Sequence, residues 1–193
     1  MKPGPLRPAH IVFPADGGPP EAPDFGDIYH PRVGALAQAR HVFLGGNGLP
    51  ARWAGRQDFT VLETGFGLGH NLLALWDAWR NDPRRPARLH VVSLELHPPT
   101  AADLARAHAA SPLPELAAAL VAAWPPLAPG LHVLAFEGGR LRLTLGLGDA
   151  TALLPQLRLQ ADALMLDGFA PDRNAALWSP PLFKAMARLA APG

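Results

Sequence analysis

The chain has 193 residues, 49% of them hydrophobic, with 17 basic and 16 acidic side chains and a formal net charge of +1. That length suits one α/β domain with a core of its own, or one domain behind an irregular lead. The absence of cysteine excludes a disulfide scaffold and a thiolate zinc site. The balanced charge excludes a surface that binds polyanions in bulk, so any nucleic-acid contact is a local patch. No apolar run is long enough to span a bilayer, and Met1–Pro5 opens no signal-peptide core, so a cytoplasmic protein is expected. Lysine occurs only at Lys2 and Lys184, and the excess of arginine reads as composition bias rather than function.

In chain order, residues 1–26 are rich in proline and glycine and predict an irregular lead packed by Ile11, Val12 and Phe13. A single domain is expected over 27–193, opening at Asp27-Ile28-Tyr29. Residues 35–44 have helical spacing, and Gly45-Gly46-Asn47-Gly48 ends them with residues that tolerate left-handed backbone. Val61-Leu62-Glu63 reads as a short apolar strand. Gly65, Gly67 and Gly69 follow it, and then a helix with Leu72, Leu75, Trp76 and Trp79 on one stripe. Such a strand-to-helix turn suits a bound nucleotide, because glycine lets a ligand approach the main chain.

Residues 89–96 predict a buried parallel strand ending near Glu95, and Thr100 caps a helix running to about His108. A second helix carries Leu116, Ala119, Leu120 and Ala123. Residues 132–136 and 141–145 predict a hairpin at a sheet edge, leading to Gly148-Asp149 and a short helix over about 151–159. Residues 163–166 predict a fourth strand ending in Asp167-Gly168-Phe169. Residues 174–178 read as a loop, and Ser179 with Pro180 and Pro181 opens a last helix whose inner face is Leu182, Phe183, Met186 and Leu189. The alternation of strand and helix predicts a doubly wound, mostly parallel α/β sheet.

In such a sheet ligands bind beyond the carboxyl ends of the strands, where Glu63, Glu95, Asp149 and Asp167 fall. Glu95 is placed to accept both ribose hydroxyls of a nucleoside; a solvated acid at a strand end is the plainer role. A carboxylate at Glu63 repels a pyrophosphate and attracts an amine or a sulfonium, which points to S-adenosylmethionine rather than NAD or ATP; capping of the helix start is the plainer role. Asp149 suits an adenine amine or a helix cap equally. Asp167 stands beside the expected site of chemistry.

A Gly-x-Ser-x-Gly elbow and a His-Glu-x-x-His pair are both missing, so neither a hydrolase nucleophile nor a metal is expected. His70 reads as a helix-start residue. Trp53 and Trp124 read as packing groups, while Phe169 and Trp178 flank the expected cleft and are candidates for a base platform. Arg84, Arg85 and Arg88 form a basic cluster that reads as a solvated loop.

Several of these stretches together carry a resemblance. They are Phe43-Leu44-x-Gly46-Asn47-x-Leu49 with Trp53, Glu63-Thr64-Gly65-Phe66-Gly67-Leu68-Gly69-x-Asn71, Trp124-Pro125, Gly148-Asp149, and Leu166-Asp167-Gly168-Phe169-Ala170-Pro171-x-x-Asn174-x-x-x-Trp178. From about Asp24 onward the chain resembles the methyltransferase domain of the bifunctional tRNA 5-methylaminomethyl-2-thiouridine biosynthesis proteins. The resemblance implies a Rossmann-like S-adenosylmethionine-dependent methyltransferase acting on the aminomethyl group of a wobble uridine in tRNA. It implies cofactor contacts from Glu63, Gly65, Phe66, Gly67, Gly69, Asn71, Glu95, Asp149 and Asp167. Catalytic roles fall on Asp167 and Phe169, and substrate contacts on Asn47, Phe169 and Trp178. Family sheets continue with further strands, so a domain lacking its last strands is expected, with the fourth strand as an exposed edge. The FAD-dependent oxidoreductase domain often fused in the family is not expected within these residues, and the acidic residue usual near Gln38 is missing. Two other readings are a nucleotide-dependent oxidoreductase and an inactive fragment that keeps cofactor or RNA affinity.

Overall fold

The computed structural model describes residues 6–192. The expectations for Met1–Pro5 and for the chain end at Gly193 lie outside the described residues. The stretch expected to be an irregular lead is ordered by a small ladder. Val12 bridges Glu21, and β1 (Glu21–Ala22) pairs antiparallel with β2 (Asp27–Ile28). Val12 is itself 39% exposed rather than packed, whereas Phe13 lies 4.5 Å beneath the Arg106 guanidinium.

The predicted helix over 35–44 forms as α1 (Ala35–Gln38), which runs directly into a wider, π-helical segment, Ala39–Gly45. Together they bury Leu36, Ala39, Phe43 and Leu44. β3 (Asp58–Thr64) leads through the glycine turn to α2 (His70–Asn81). The predicted stripe Leu72, Leu75, Trp76 and Trp79 is buried, and so are Asn71, Leu73 and Ala74. The stripe alone underestimates this helix because the π-helical segment and a later helix cover its second side.

β4 (Arg88–Glu95) is followed by α3 (Ala101–Ala107). Thr100 and Asp103 close that helix with a reciprocal capping box. α4 (Pro114–Ala122) has its proline in the first turn, where a missing amide costs nothing. β5 (Gly130–Phe136) and β6 (Leu141–Leu147) form the predicted hairpin around Glu137–Gly139. α5 (Ala150–Leu153) tightens into a 3-10 turn over Leu154–Gln156, and β7 (Ala163–Leu166) follows. The segment Ala175–Trp178, expected as a loop, is a 3-10 turn.

In α6 (Pro180–Leu189) the buried face is Leu182, Met186 and Leu189. Phe183, expected on that face, is 41% exposed. Spacings of four and three residues define the inner stripe, and Phe183 sits about a quarter turn off it.

The five-stranded sheet has the order β5-β6-β4-β3-β7. β6, β4, β3 and β7 are parallel, and β5 is antiparallel at one edge. Among the described residues β7 forms the other edge. Side chains of successive residues point to opposite faces, so Phe59 and Val61 join one core with α2 and α4, while Leu62 joins a second with α5 and α6. Helices on both faces make the doubly wound fold.

Candidate active site

The strand order runs from β3 through β4 to β6, then returns to place β7 on the other side of β3. That reversal is a switch point, where crossovers leave to opposite faces and open a crevice at the carboxyl ends. A cavity of about 470 Å³ lies there, lined by the glycine turn, Asn71, Glu95, Asp149 and Asp167.

Gly65 locks the crevice floor. Its amide donates to the Leu94 carbonyl at 2.8 Å, and its φ is +86°. A Cβ there would lie 1.5 Å from the Asp167 carbonyl oxygen, so only glycine lets β3 and β7 close at this point. Gly67 points its amide at Glu95 Oε2, 2.8 Å away. Gly69 begins α2, and a Cβ on it would meet the Phe66 ring at 2.8 Å. Phe66 borders the cavity, but its ring is buried and stacks on Trp124 at 5.4 Å, so the side chain serves the core.

The acidic residues differ in what surrounds them. Glu63, the expected negative charge beneath the turn, is 1% exposed and does not line the cavity. Ser93 Oγ donates to its Oε2 at 2.5 Å and Asn71 Nδ2 to its Oε1 at 2.8 Å. Burial pushes its carboxyl up to about 8, against the lowering by Ser93. Glu63 is therefore a neutral acid at pH 7, and only a cation brought into the cavity would draw it to the charged form. This corrects the expectation of a standing charge.

Glu95 lines the cavity and accepts the Gly67 and His97 amides, one on each oxygen, both at 2.8 Å. Burial raises its carboxyl above the usual range, opposed by those amides. Each oxygen keeps a lone pair for a hydroxyl. Asp149 caps α5 through Oδ1, which accepts the Thr151 amide at 2.8 Å and the Thr151 hydroxyl at 2.7 Å. Its other oxygen takes part in neither of these bonds, so capping leaves it open to a further donor. Asp167 lines the cavity, accepts from Asn71 Nδ2 at 2.7 Å, and is raised by burial to about 6.

Phe169 lines the cavity, stacked on Phe25 at 4.6 Å and meeting Tyr29 edge-on at 5.4 Å. The structure places Trp178 and Asn47 away from it. The Trp178 indole donates to the Phe169 carbonyl at 2.9 Å and so braces the loop. Asn47 Nδ2 donates to the carbonyls of Phe43 and Leu164, at 2.9 and 3.1 Å, tying the π-helical segment to β7. Neither side chain is among those lining the cavity.

The end of the lead and the residues just after it supply what sequence reasoning missed. Phe25, Asp27 and Tyr29 wall the cavity, with Asp27 Oδ2 accepting the Ala170 amide at 3.1 Å and Tyr29 lying over Gly67. Burial, with help from Glu95, holds the Tyr29 hydroxyl well above its ordinary value. The available signal was the pair of aromatic residues Phe25 and Tyr29 on either side of the boundary at residue 27. His70 also lines the cavity between the rings of His30 and His108, at 5.4 and 4.9 Å. Burial, then those two neighbours, pushes it down to about 3, so it is neutral.

Neither lysine nor arginine is among the residues lining this cavity, whereas Asp24, Asp27, Glu95, Asp149 and Asp167 are. Such a wall suits a cationic, phosphate-free nucleoside and opposes a pyrophosphate. Among the described residues no group of three or more histidine, aspartate or glutamate side chains is placed to hold a metal, and no helix is long and apolar enough to cross a membrane.

A doubly wound sheet, a glycine turn and an acidic nucleoside cavity define a methyltransferase-type domain. In agreement, residues 111–193 match the family described as S-adenosyl-L-methionine-dependent methyltransferase. Over all 193 residues the chain is 62% identical to the tRNA 5-methylaminomethyl-2-thiouridine biosynthesis bifunctional protein MnmC of Methylibium petroleiphilum, covering 29% of that protein. The same-named protein of Paraburkholderia phytofirmans is 59% identical over 98% of the chain, and that of Cupriavidus necator 56% over 97%, again with 29% of each relative covered. A crystal structure of MnmC2 from Aquifex aeolicus superposes with a TM-score of 0.71 at 25% identity, over 96% of this chain and 57% of that one. Over its whole length the chain is thus similar to these MnmC proteins, its residues 111–193 match the S-adenosyl-L-methionine-dependent methyltransferase family, and it spans less than a third of the length of the curated relatives.

Proposed function

We propose that this chain methylates the primary amine of 5-aminomethyl-2-thiouridine at the wobble position of tRNA, forming 5-methylaminomethyl-2-thiouridine, in the cytoplasm. The observation that carries the reading is Asp167, a carboxyl of raised proton affinity beside the glycine turn, in a cavity walled by acids and free of lysine and arginine. S-adenosylmethionine supplies an electrophilic methyl on a sulfonium. The turn Gly65–Gly69 and Asn71 border its methionine part, Glu95 takes the ribose hydroxyls, and Asp149 offers its free oxygen to the adenine amine.

Asp167 and Phe169 receive the acceptor. The amine must lose a proton before its nitrogen lone pair forms the new N–C bond as the S–C bond breaks. Asp167, ionised over most of the neutral range, accepts a hydrogen bond from that amine and aligns it, and the proton leaves through this carboxylate or to solvent. The ring of Phe169 offers the uracil a face to stack on, in exchange for its contact with Phe25.

The test is transfer of labelled methyl to tRNA lacking that methyl, compared with mature tRNA. Label is expected only in the former. Asp167→Asn is expected to lower turnover by about 10²–10⁴ with cofactor affinity nearly unchanged. Tight NAD uptake with indifference to S-adenosylhomocysteine, measured by calorimetry, would refute the reading.

A further inference from the structure

Asn71, the second residue of α2, joins carboxyl groups from two different strands. Its Nδ2 donates to Glu63 Oε1 at 2.8 Å and to Asp167 Oδ2 at 2.7 Å. The chemistry assigns the amide orientation, because the two carboxyl oxygens call for a donor, and the amide nitrogen carries two protons. Behind Glu63, the fully buried Ser93 hydroxyl donates to Oε2. A single line of hydrogen bonds therefore runs from the core at Ser93, through Glu63 and Asn71, to the cavity wall at Asp167. Asn71 is the member that borders the cavity on the way, and it is 5% exposed.

We propose that Asn71 is a positioning residue that fixes Asp167 against the methyl acceptor and makes the proton affinity of Asp167 follow the charge on Glu63. Two carboxyl oxygens bonded to one nitrogen lie within the ~4–6 Å over which like charges hinder each other's ionisation. The acidic groups facing one another here are Glu63, Asp167 and Glu95: Asp167 and Glu95 oppose ionisation of Glu63, and Glu95 opposes that of Asp167. The bond from Asn71 works the other way and favours the charged form of Asp167. Without Asn71 the carboxyl keeps its proton to higher pH, and the acceptor amine loses a hydrogen-bond acceptor under neutral conditions. A pair coupled in this way titrates in two shared steps rather than as two separate acids.

The catalytic consequence rests on the methyl-transfer reading above, while the coupling itself does not. The first measurement is the pH dependence of kcat for Asn71→Leu beside the unaltered chain, with S-adenosylhomocysteine affinity from calorimetry. The acidic limb of kcat is expected to rise by about one pH unit, so that turnover on that limb falls by about tenfold, as loss of a charge-assisted hydrogen bond implies, while inhibitor affinity reports separately on the border Asn71 makes with the methionine part. An unmoved limb overturns the proposal, whether affinity falls (a cofactor contact only) or stays (a scaffold residue only).

The second measurement needs no turnover, and its deciding outcome is read in the unaltered chain. Carboxyl ¹³C resonances of Glu63 and Asp167 are followed against pH in the unaltered chain. Each is expected to show two inflections at common midpoints, with Asp167 reduced to a single inflection in Glu63→Gln. Independent single midpoints in the unaltered chain overturn the proposal. A chain that transfers no methyl to tRNA would refute the assigned reaction while leaving this titration to decide the coupling.

Discussion

Replacing Glu63 by glutamine tests the electrostatics of the buried carboxyl directly. Glutamine has the same shape; its Oε1 still accepts from Asn71, and its amide can donate to the Ser93 hydroxyl, which turns its own hydrogen elsewhere. What changes is the titration. The folded chain holds the Glu63 proton to about pH 8, against an ordinary value of 4.5. Both states are protonated below pH 4.5, so the native carboxyl carries its full stability there. As pH rises the unfolded chain ionises first, and stability falls until the folded pKa is passed. At about 1.4 kcal/mol per unit, this span corresponds to roughly 5 kcal/mol lost between pH 4.5 and 8. Glutamine does not titrate, so the difference between the two chains isolates this one group. In urea unfolding the variant is expected to match the parent within about 1 kcal/mol at pH 4.5 and to exceed it by several kcal/mol at pH 8. Parallel stability curves across that range would refute the placement of Glu63 as a buried neutral acid.

Three further outcomes follow from the geometry. Gly65→Ala puts a Cβ 1.5 Å from the Asp167 carbonyl oxygen and is expected to abolish folding, whereas Gly67→Ala meets only Tyr29 at 3.6 Å and is expected to cost about 1–2 kcal/mol of left-handed strain; thermal melts of the two variants compare them. Glu95→Gln leaves either the Gly67 or the His97 amide facing an NH₂ group, so stability is expected to drop by about 1–3 kcal/mol and calorimetric affinity for S-adenosylhomocysteine to weaken as well. His70, neutral in the fold down to about pH 3, lends stability that is whole above its ordinary value of 6.5 and is lost as pH falls through that window. His70→Phe keeps an aromatic ring there, and its melting temperature is expected to decline less than that of the parent between pH 6.5 and 4.

The sheet and its helices were legible because their signals are local. Alternation in β6, the runs of β3 and β4, the Thr100 cap and the proline start of α6 each act within a few residues, and the fold repeats them. Glu63, Glu95, Asp149 and Asp167 were located for the same reason, since a strand end is where such a sheet gathers its ligand groups. Side-chain roles were harder to read. The motif containing Asn47 singles that residue out, yet only the approach of β7 shows its amide held by the Leu164 carbonyl.

By itself the sequence determined a doubly wound α/β domain with a glycine turn under a row of acids. The tertiary structure decided what those acids are: Glu63 neutral and enclosed, Glu95 holding the turn, and Asp167 linked to Asn71 from 96 positions away. It also laid Phe25 of the lead and Tyr29, just beyond it, over the cavity. The physical reason is that backbone preference is set by near neighbours, whereas the charge of a carboxyl depends on the water it has lost and the donors it has met, and both come from distant parts of the chain.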